Sequence, residues 1–104
     1  MLDCFLLFIG GTINNMRITF DPAENARNVA ERGLAFVEVD FFEWATALIE
    51  EDTRKAYGER RFAAQGLIGD RLHVLVFTPR EGNIHVISLR KANTREVKRY
   101  EKAT

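Results

Sequence analysis

The chain has 104 residues, the size of one domain, and at 46% apolar with eight phenylalanines and one tryptophan it can fill a small core. No apolar run approaches the ~20 residues that a membrane-spanning helix needs. The formal net charge is zero, which taken alone points away from a nucleic-acid partner. That balance is uneven along the chain: residues 1–52 carry three basic against ten acidic side chains, and residues 53–104 carry twelve against five. The halves are therefore at −7 and +7, which points to a basic working surface in the C-terminal half.

The start, MLDCFLLFIGGTINN, lacks the basic region and small-x-small cleavage site of a signal peptide. Met16 is the expected original start, with residues 1–15 an extension outside a domain of residues 16–104. An extra strand at Phe5–Ile9 or a sticky apolar tail are the alternatives. The single cysteine, Cys4, cannot form an internal disulfide, which fits a reducing cytoplasm.

Arg17–Phe20 is a short predicted strand. Asp21, Pro22 and Glu24 then form a helix start, with Asp21 as cap and Pro22 at the first helical position. The helix is expected to run to about Arg32, with Ala26, Val29 and Ala30 facing inward and Gly33 as its left-handed stop. Ala35–Glu43 reads as a second short helix that buries Val37, Phe41 and Trp44. Ala47–Glu51 is a predicted strand, Asp52–Glu59 a polar turn, and Arg61–Ile68 a strand closed by Gly69-Asp70. Leu72–Thr78 and Ile84–Leu89 flank a turn over Pro79–Asn83, the pattern of a long hairpin. Thr94–Tyr100 is a terminal helix capped by Asn93, with Val97 and Tyr100 on one face. The order β-α-α-β-β-β-β-α argues for an α+β domain with an antiparallel sheet packed against helices.

Standard sites are absent from the sequence: there is no phosphate-binding loop, no GxGxxG, no nucleophile elbow and no metal-ligand spacing, so neither a metal nor a cofactor is expected. What remains is a basic and hydroxyl-rich set. Arg71, Arg80 and Arg90 mark the start, turn and end of the hairpin, where they are expected to converge on one anion. Guanidinium suits phosphate because its planar fork donates in a bidentate geometry. Arg54, Tyr57, Glu59, Arg60, Arg61, Thr78, Ser88, Lys91, Arg95 and Tyr100 complete the set. These groups fit RNA cleavage by the RNA's own 2′-hydroxyl: arginines neutralise the developing charge, while a carboxylate or histidine moves protons. Glu59 and His85 are the candidates for proton transfer by type. Glu59 beside Arg60 and Arg61 equally fits a surface ion pair, and His85, on one face with Ile87 and Leu89 by alternation, equally fits a structural role. His73 reads as a hydrogen-bonded core histidine. Tyr57 or Tyr100 could stack on an unpaired base, although Tyr100 on an amphipathic helix also fits packing.

Three segments, ITFDPAENARNVAERGLAF, EDTRKAYGERR and GDRLHVLVFTPREGNIHVISLRKANTREVKRYE, together with the spacing of ISLRKA to Glu96 and Tyr100, carry a family resemblance. From Met16 onward the chain resembles the BrnT family, the toxin half of a bacterial type II toxin–antitoxin pair. The resemblance implies a compact domain related to the RelE-like toxins and an endoribonuclease that cleaves mRNA, without metal, to block translation. It also implies neutralisation by a BrnA-type antitoxin with a ribbon-helix-helix domain, whose complex with the toxin represses its own operator DNA. Positions matching the family motifs are Glu59, Arg61, Arg71, Thr78, Arg80, Ser88, Arg90 and Lys91. Arg61, Arg80 and Arg90 would hold the phosphate, Glu59 or His85 would move protons, and Arg54, Tyr57, Arg71, Thr78, Ser88 and Lys91 would contact RNA. Two departures stand out: His85 occupies a position where the family usually has arginine, and residues 1–15 have no family counterpart. A non-catalytic nucleic-acid-binding module would show salt-dependent binding without product. A protein-interaction module would bind an acidic partner segment and little RNA.

Overall fold

The computed structural model describes residues 17–54, 56 and 58–104. The expected extension at residues 1–15 and the candidate base-stacking residue Tyr57 lie outside the described residues. The elements are β1 (Ile18–Phe20), α1 (Pro22–Arg32), a 3₁₀ segment (Phe36–Phe41), a short 3₁₀ turn (Trp44–Thr46), β2 (Leu48–Asp52), β3 (Arg61–Ile68), β4 (Arg71–Arg80), β5 (Asn83–Lys91) and α2 (Thr94–Ala103). This is the α+β domain expected from the sequence. The strands form one five-stranded sheet in the order β1-β5-β4-β3-β2. Neighbours from β2 to β5 pair antiparallel, and β1 joins the edge parallel to β5, so the sheet is mixed.

The start of α1 follows its sequence signals: Asp21 accepts from the Ala23 N–H at 2.8 Å, Pro22 opens the helix, and Gly33 ends it at φ 71°. Its inward face differs from the expected one. Ala26, Val29 and Ala30 are exposed, and the buried residue is Asn28. Its carboxamide donates to the carbonyls of Leu34 and Leu89, each at 2.9 Å, and accepts from the Leu89 N–H at 3.4 Å. Asn25 adds a bond from the Phe36 N–H at 2.7 Å. The helix is thus fixed to β5 and to the following segment largely through amides, which an apolar periodicity does not register.

The second predicted helix is a 3₁₀ segment, and its period of three selects different residues for burial. Phe36, Val39 and Phe42 point inward, whereas Val37 is 54% and Phe41 70% exposed; Trp44 is partly buried against the core. The inward residues meet Phe62, Ala64, Leu75, Phe77, Ile84, Val86 and Leu89 from one face of the sheet. Gly66 of β3 makes room for this contact, since a Cβ there would lie 2.8 and 2.9 Å from Cε2 and Cε1 of Phe42 and closer still to Cζ.

The opposite sheet face is only half covered. Helix α2 packs Val97 and Tyr100 on Leu48, Leu67, Leu72 and Val74 at one end. A full capping box joins Asn93 and Glu96 at its start, and the Tyr100 hydroxyl donates to the Thr46 carbonyl at 3.0 Å. Tyr100 is therefore a packing residue, closed to stacking on a base. His73 is buried, with Nδ1 2.9 Å from the Arg71 carbonyl oxygen, as a core histidine should be. No helix among the described residues is long and apolar enough to cross a membrane.

Two local features set where the hairpin side chains point. Arg80 pairs with Asn83, leaving Glu81 and Gly82 as a two-residue turn with φ of 50° and 80°, and Pro79 within β4. Two successive positive φ values match the twist of the flanking strands. Then Val76 pairs with Ser88 but Phe77 with Val86, so Ile87 is an extra residue in β5. This bulge resets the alternation. His85 consequently lies on the half-open face with Ser88 and Arg90, opposite to Leu89, which corrects the simple alternation that grouped His85 with Leu89.

Candidate functional site

The uncovered end of the half-open face is built from successive cross-strand rows. At its outermost end, beside the hairpin turn, Arg80 reaches Glu59: Nε lies 3.3 Å and Nη2 3.2 Å from Oε1, and Nη2 also lies 3.2 Å from Oε2. The next row crosses the sheet through Asp52 and Arg61, which are paired, then Thr78 and His85, which are paired, to Thr19. Further in lie Glu50, Ala63, Val76 and Ser88, and beyond them Leu48, Gln65, Val74 and Arg90. Small residues in the floor and α2 at one end leave a groove of about 700 Å³, edged by Arg54 on one side and by Arg90, Glu96 and Arg99 on the other.

Glu59 and Arg80 are in contact, and Arg61 and His85 lie in the adjoining row on either side of Thr78. Arg80 and His85 sit one pair apart on neighbouring strands, a diagonal that long side chains bridge. The His85 ring is half-buried, with Nδ1 2.9 Å from Thr19 Oγ1. A hydroxyl both donates and accepts, so Thr19 can hold either imidazole tautomer. The Glu59 carboxylate is held by Arg80 rather than by its sequence neighbours, so carboxylate and guanidinium form one ion-paired unit.

The expectation that Arg71, Arg80 and Arg90 converge on one anion is not met. Arg71 and Arg80 are the two ends of a ten-residue strand, roughly 30 Å apart at ~3.4 Å per residue. Arg90 pairs with Val74, six positions from Arg80, which separates them by roughly 20 Å. Arg71 instead donates to the Ala92 carbonyl at 3.3 Å beside α2. Lys91 pairs with His73, at the same far end. Thr78 is 1% exposed and its hydroxyl donates to the Arg60 carbonyl at 2.6 Å, so that group is engaged inside the fold.

Arg90 has its own partner. Nη1 and Nη2 donate to the two carboxylate oxygens of Glu96, each at 2.8 Å, in a fork geometry. The hydrogen bonds from Arg90, reinforced by the cap bond from the Asn93 N–H, hold the Glu96 carboxyl down to about 2. The same pair raises the Arg90 guanidinium further above its ordinary value. Arg54 likewise forks onto Asp52 at 2.9 Å, and Arg60 onto Glu51 at 2.9 and 3.1 Å. Bonding to Arg60 lowers the Glu51 carboxyl.

Two groove residues, Gln65 and Arg99, lie outside the sequence-predicted set. Helix periodicity places Arg99 close to Glu96, three residues earlier, and that spacing was the available signal. Among the described residues, no three or more His, Cys, Asp or Glu side chains come together as metal ligands.

A five-stranded sheet whose open face carries fixed arginines, a histidine and an arginine-held carboxylate defines a small α+β domain with a polar, cation-bearing groove. Residues 20–96 match the family model for the ribonuclease toxin BrnT of type II toxin–antitoxin systems, and the chain belongs to that family. No curated protein matches the chain. Membership makes it a ribonuclease toxin of a two-component system, with an antitoxin as its partner.

Proposed function

We propose that the chain is an endoribonuclease that cleaves mRNA in the cytoplasm and so stops translation, using the RNA's 2′-hydroxyl as nucleophile and no metal. The observation that carries this reading is the Arg80–Glu59 pair at the open end of the sheet, with Arg61 and His85 in the adjoining row. The 2′-oxygen attacks phosphorus and the bond from phosphorus to the 5′-oxygen breaks. Products are a 2′,3′-cyclic phosphate and a 5′-hydroxyl. Arg80 and Arg61 bind the reacting phosphate and stabilise charge that grows in the transition state. Glu59 or His85 takes the 2′ proton, and the other delivers one to the leaving oxygen. Arg90, too distant for the same phosphate, binds another phosphate of the strand together with Ser88; Arg54 lines its path, Tyr57 contacts RNA in the same reading, and Thr78 positions the Arg60–Arg61 backbone. Arg71 and Lys91 extend RNA contact to the far end of the sheet.

The partner in this reading is a BrnA-type ribbon-helix-helix antitoxin that covers the groove, and operator DNA is bound only through the complex. Purified full-length chain is incubated with single-stranded RNA in EDTA, and the product ends are analysed. Cyclic phosphate ends support the reading; 5′-phosphate ends would show attack by water and remove it. Salt-dependent RNA binding without product would instead favour the binding-module alternative.

A further inference from the structure

Beside the polar groove lies a second one of about 460 Å³, within the roughly 300–1,000 Å³ typical of small-ligand sites. The lining residues it does not share with the polar groove, Ala47, Leu48, Ile49 and Ala103, are all apolar, although the Ile49 side chain itself packs into the core on the other sheet face. The two grooves share Glu50, Ala63, Gln65 and Arg99, so they are one continuous trough with a polar and an apolar compartment. We propose that the apolar compartment takes one unpaired base of the RNA, that the Gln65 carboxamide reads the edge of that base, and that Arg99 holds its phosphate. This rests on the ribonuclease reading above and adds to it a specificity subsite.

Gln65 Oε1 is buried and has no hydrogen-bond partner among the described residues. A buried acceptor left unpaired costs free energy, and a ligand that supplies a donor recovers it. A carboxamide offers an acceptor and donors side by side, the pattern that pairs with a base edge. Arg99 is the complementary observation. Arg54, Arg60, Arg80 and Arg90 all bond carboxylates directly; Arg99 lies near enough to Glu96 for its charge to lower that carboxyl, but its guanidinium makes no hydrogen bond among the described residues. It stands where the two compartments join, so a nucleotide with its base on the apolar side would place its phosphate there. Glu50, also at the junction, repels a second phosphate and confines the anion to the Arg99 side. A protein segment would fill the apolar end but would not account for a cation and an orphan amide at the same junction.

The test uses full-length chain and fluorescent 2′-O-methyl hexaribonucleotides of A, C, G or U, which lack the attacking hydroxyl and survive binding. The parent should prefer one base by about tenfold or more, the discrimination expected of paired amide contacts. Gln65→Leu should reduce that preference to within about twofold, and Gln65→Glu, which only accepts, should change the preferred base. Arg99→Ala should weaken all four oligomers alike and lower the salt slope by about one. Thermal unfolding checks each variant, and Gln65→Glu carries the test if Gln65→Leu does not fold. A parent without base preference, or a preference that survives both Gln65 variants, overturns the proposal and leaves the trough to a protein occupant. Cleavage of unmodified hexamers is scored separately. Base preference without cleavage keeps the subsite and removes the ribonuclease mechanism, cleavage without preference removes the subsite alone, and neither removes both.

Discussion

Replacing Glu96 with glutamine isolates the charged part of the contact that ties α2 to the sheet. Glutamine keeps an acceptor for the Asn93 N–H but loses the charge that Arg90 grips at 2.8 Å with both nitrogens. The Glu96 carboxyl lies at about 2, well below its ordinary 4.5, because Arg90 bonds its charged form, a difference that corresponds to at most ~3.4 kcal/mol. That is an upper bound, because the Arg90 side chain is 35% exposed and solvent screens the pair. A loss of about 1–2 kcal/mol at pH 7 is the discounted expectation. The sign follows from the lowered carboxyl: the contribution is complete above pH 4.5 and fades as pH falls toward 2. Urea unfolding of parent and Glu96→Gln at pH 7, 4.5 and 2.5 measures the difference directly, since other titrating groups are common to both. The gap should close progressively across that acid window. A gap below ~0.3 kcal/mol at pH 7, or one that persists unchanged at pH 2.5, would refute the ion-pair account.

Gly66→Ala should destabilise by about 1–3 kcal/mol, because Phe42 is wedged between β3 and the Trp44 ring 4.8 Å away and cannot withdraw; an unchanged melting temperature would disprove that packing argument. Asn28→Ala should cost about 2–3 kcal/mol by leaving the Leu89 N–H and carbonyl unpaired by Asn28. Chemical denaturation checks it, and a loss below 0.5 kcal/mol would mean water replaces the amide. His85→Ala should slow RNA cleavage by about 10²–10⁴-fold while leaving RNA binding within about twofold. An unchanged cleavage rate would remove His85 from the mechanism.

The sequence makes legible those parts of the fold decided by neighbouring residues. Asp21, Pro22 and Gly33 act within one or two turns of α1, and Asn93 with Glu96 does the same for α2, so both helices are found at their proper starts. Long strands with β-branched residues are also plain, as the hairpin strands Arg71–Arg80 and Asn83–Lys91 show. Inward faces are harder. Phe36, Val39 and Phe42 recur every third residue, and a helical template of 3.6 selects Val37 and Phe41 instead. In α1, two asparagines make hydrogen bonds that apolar periodicity overlooks. One inserted residue, Ile87, turns His85 to the other face, and only the cross-strand register reveals it. The candidate site was legible in its residue types but not in its grouping. Glu59 meets Arg80 across 21 positions, and Arg90 meets Glu96 instead of joining Arg80, because strand length keeps the two hairpin arginines apart.

The central claim is that the Arg80–Glu59 unit belongs to a ribonucleolytic site. Its most direct test is cleavage of single-stranded RNA by the full-length chain in EDTA, with Arg80→Ala alongside and both proteins shown to be folded by thermal unfolding. The account predicts 2′,3′-cyclic phosphate ends from the parent and a loss of at least about a hundredfold in rate for Arg80→Ala, the effect of removing one charge-stabilising donor. Equal cleavage by the two proteins would contradict it.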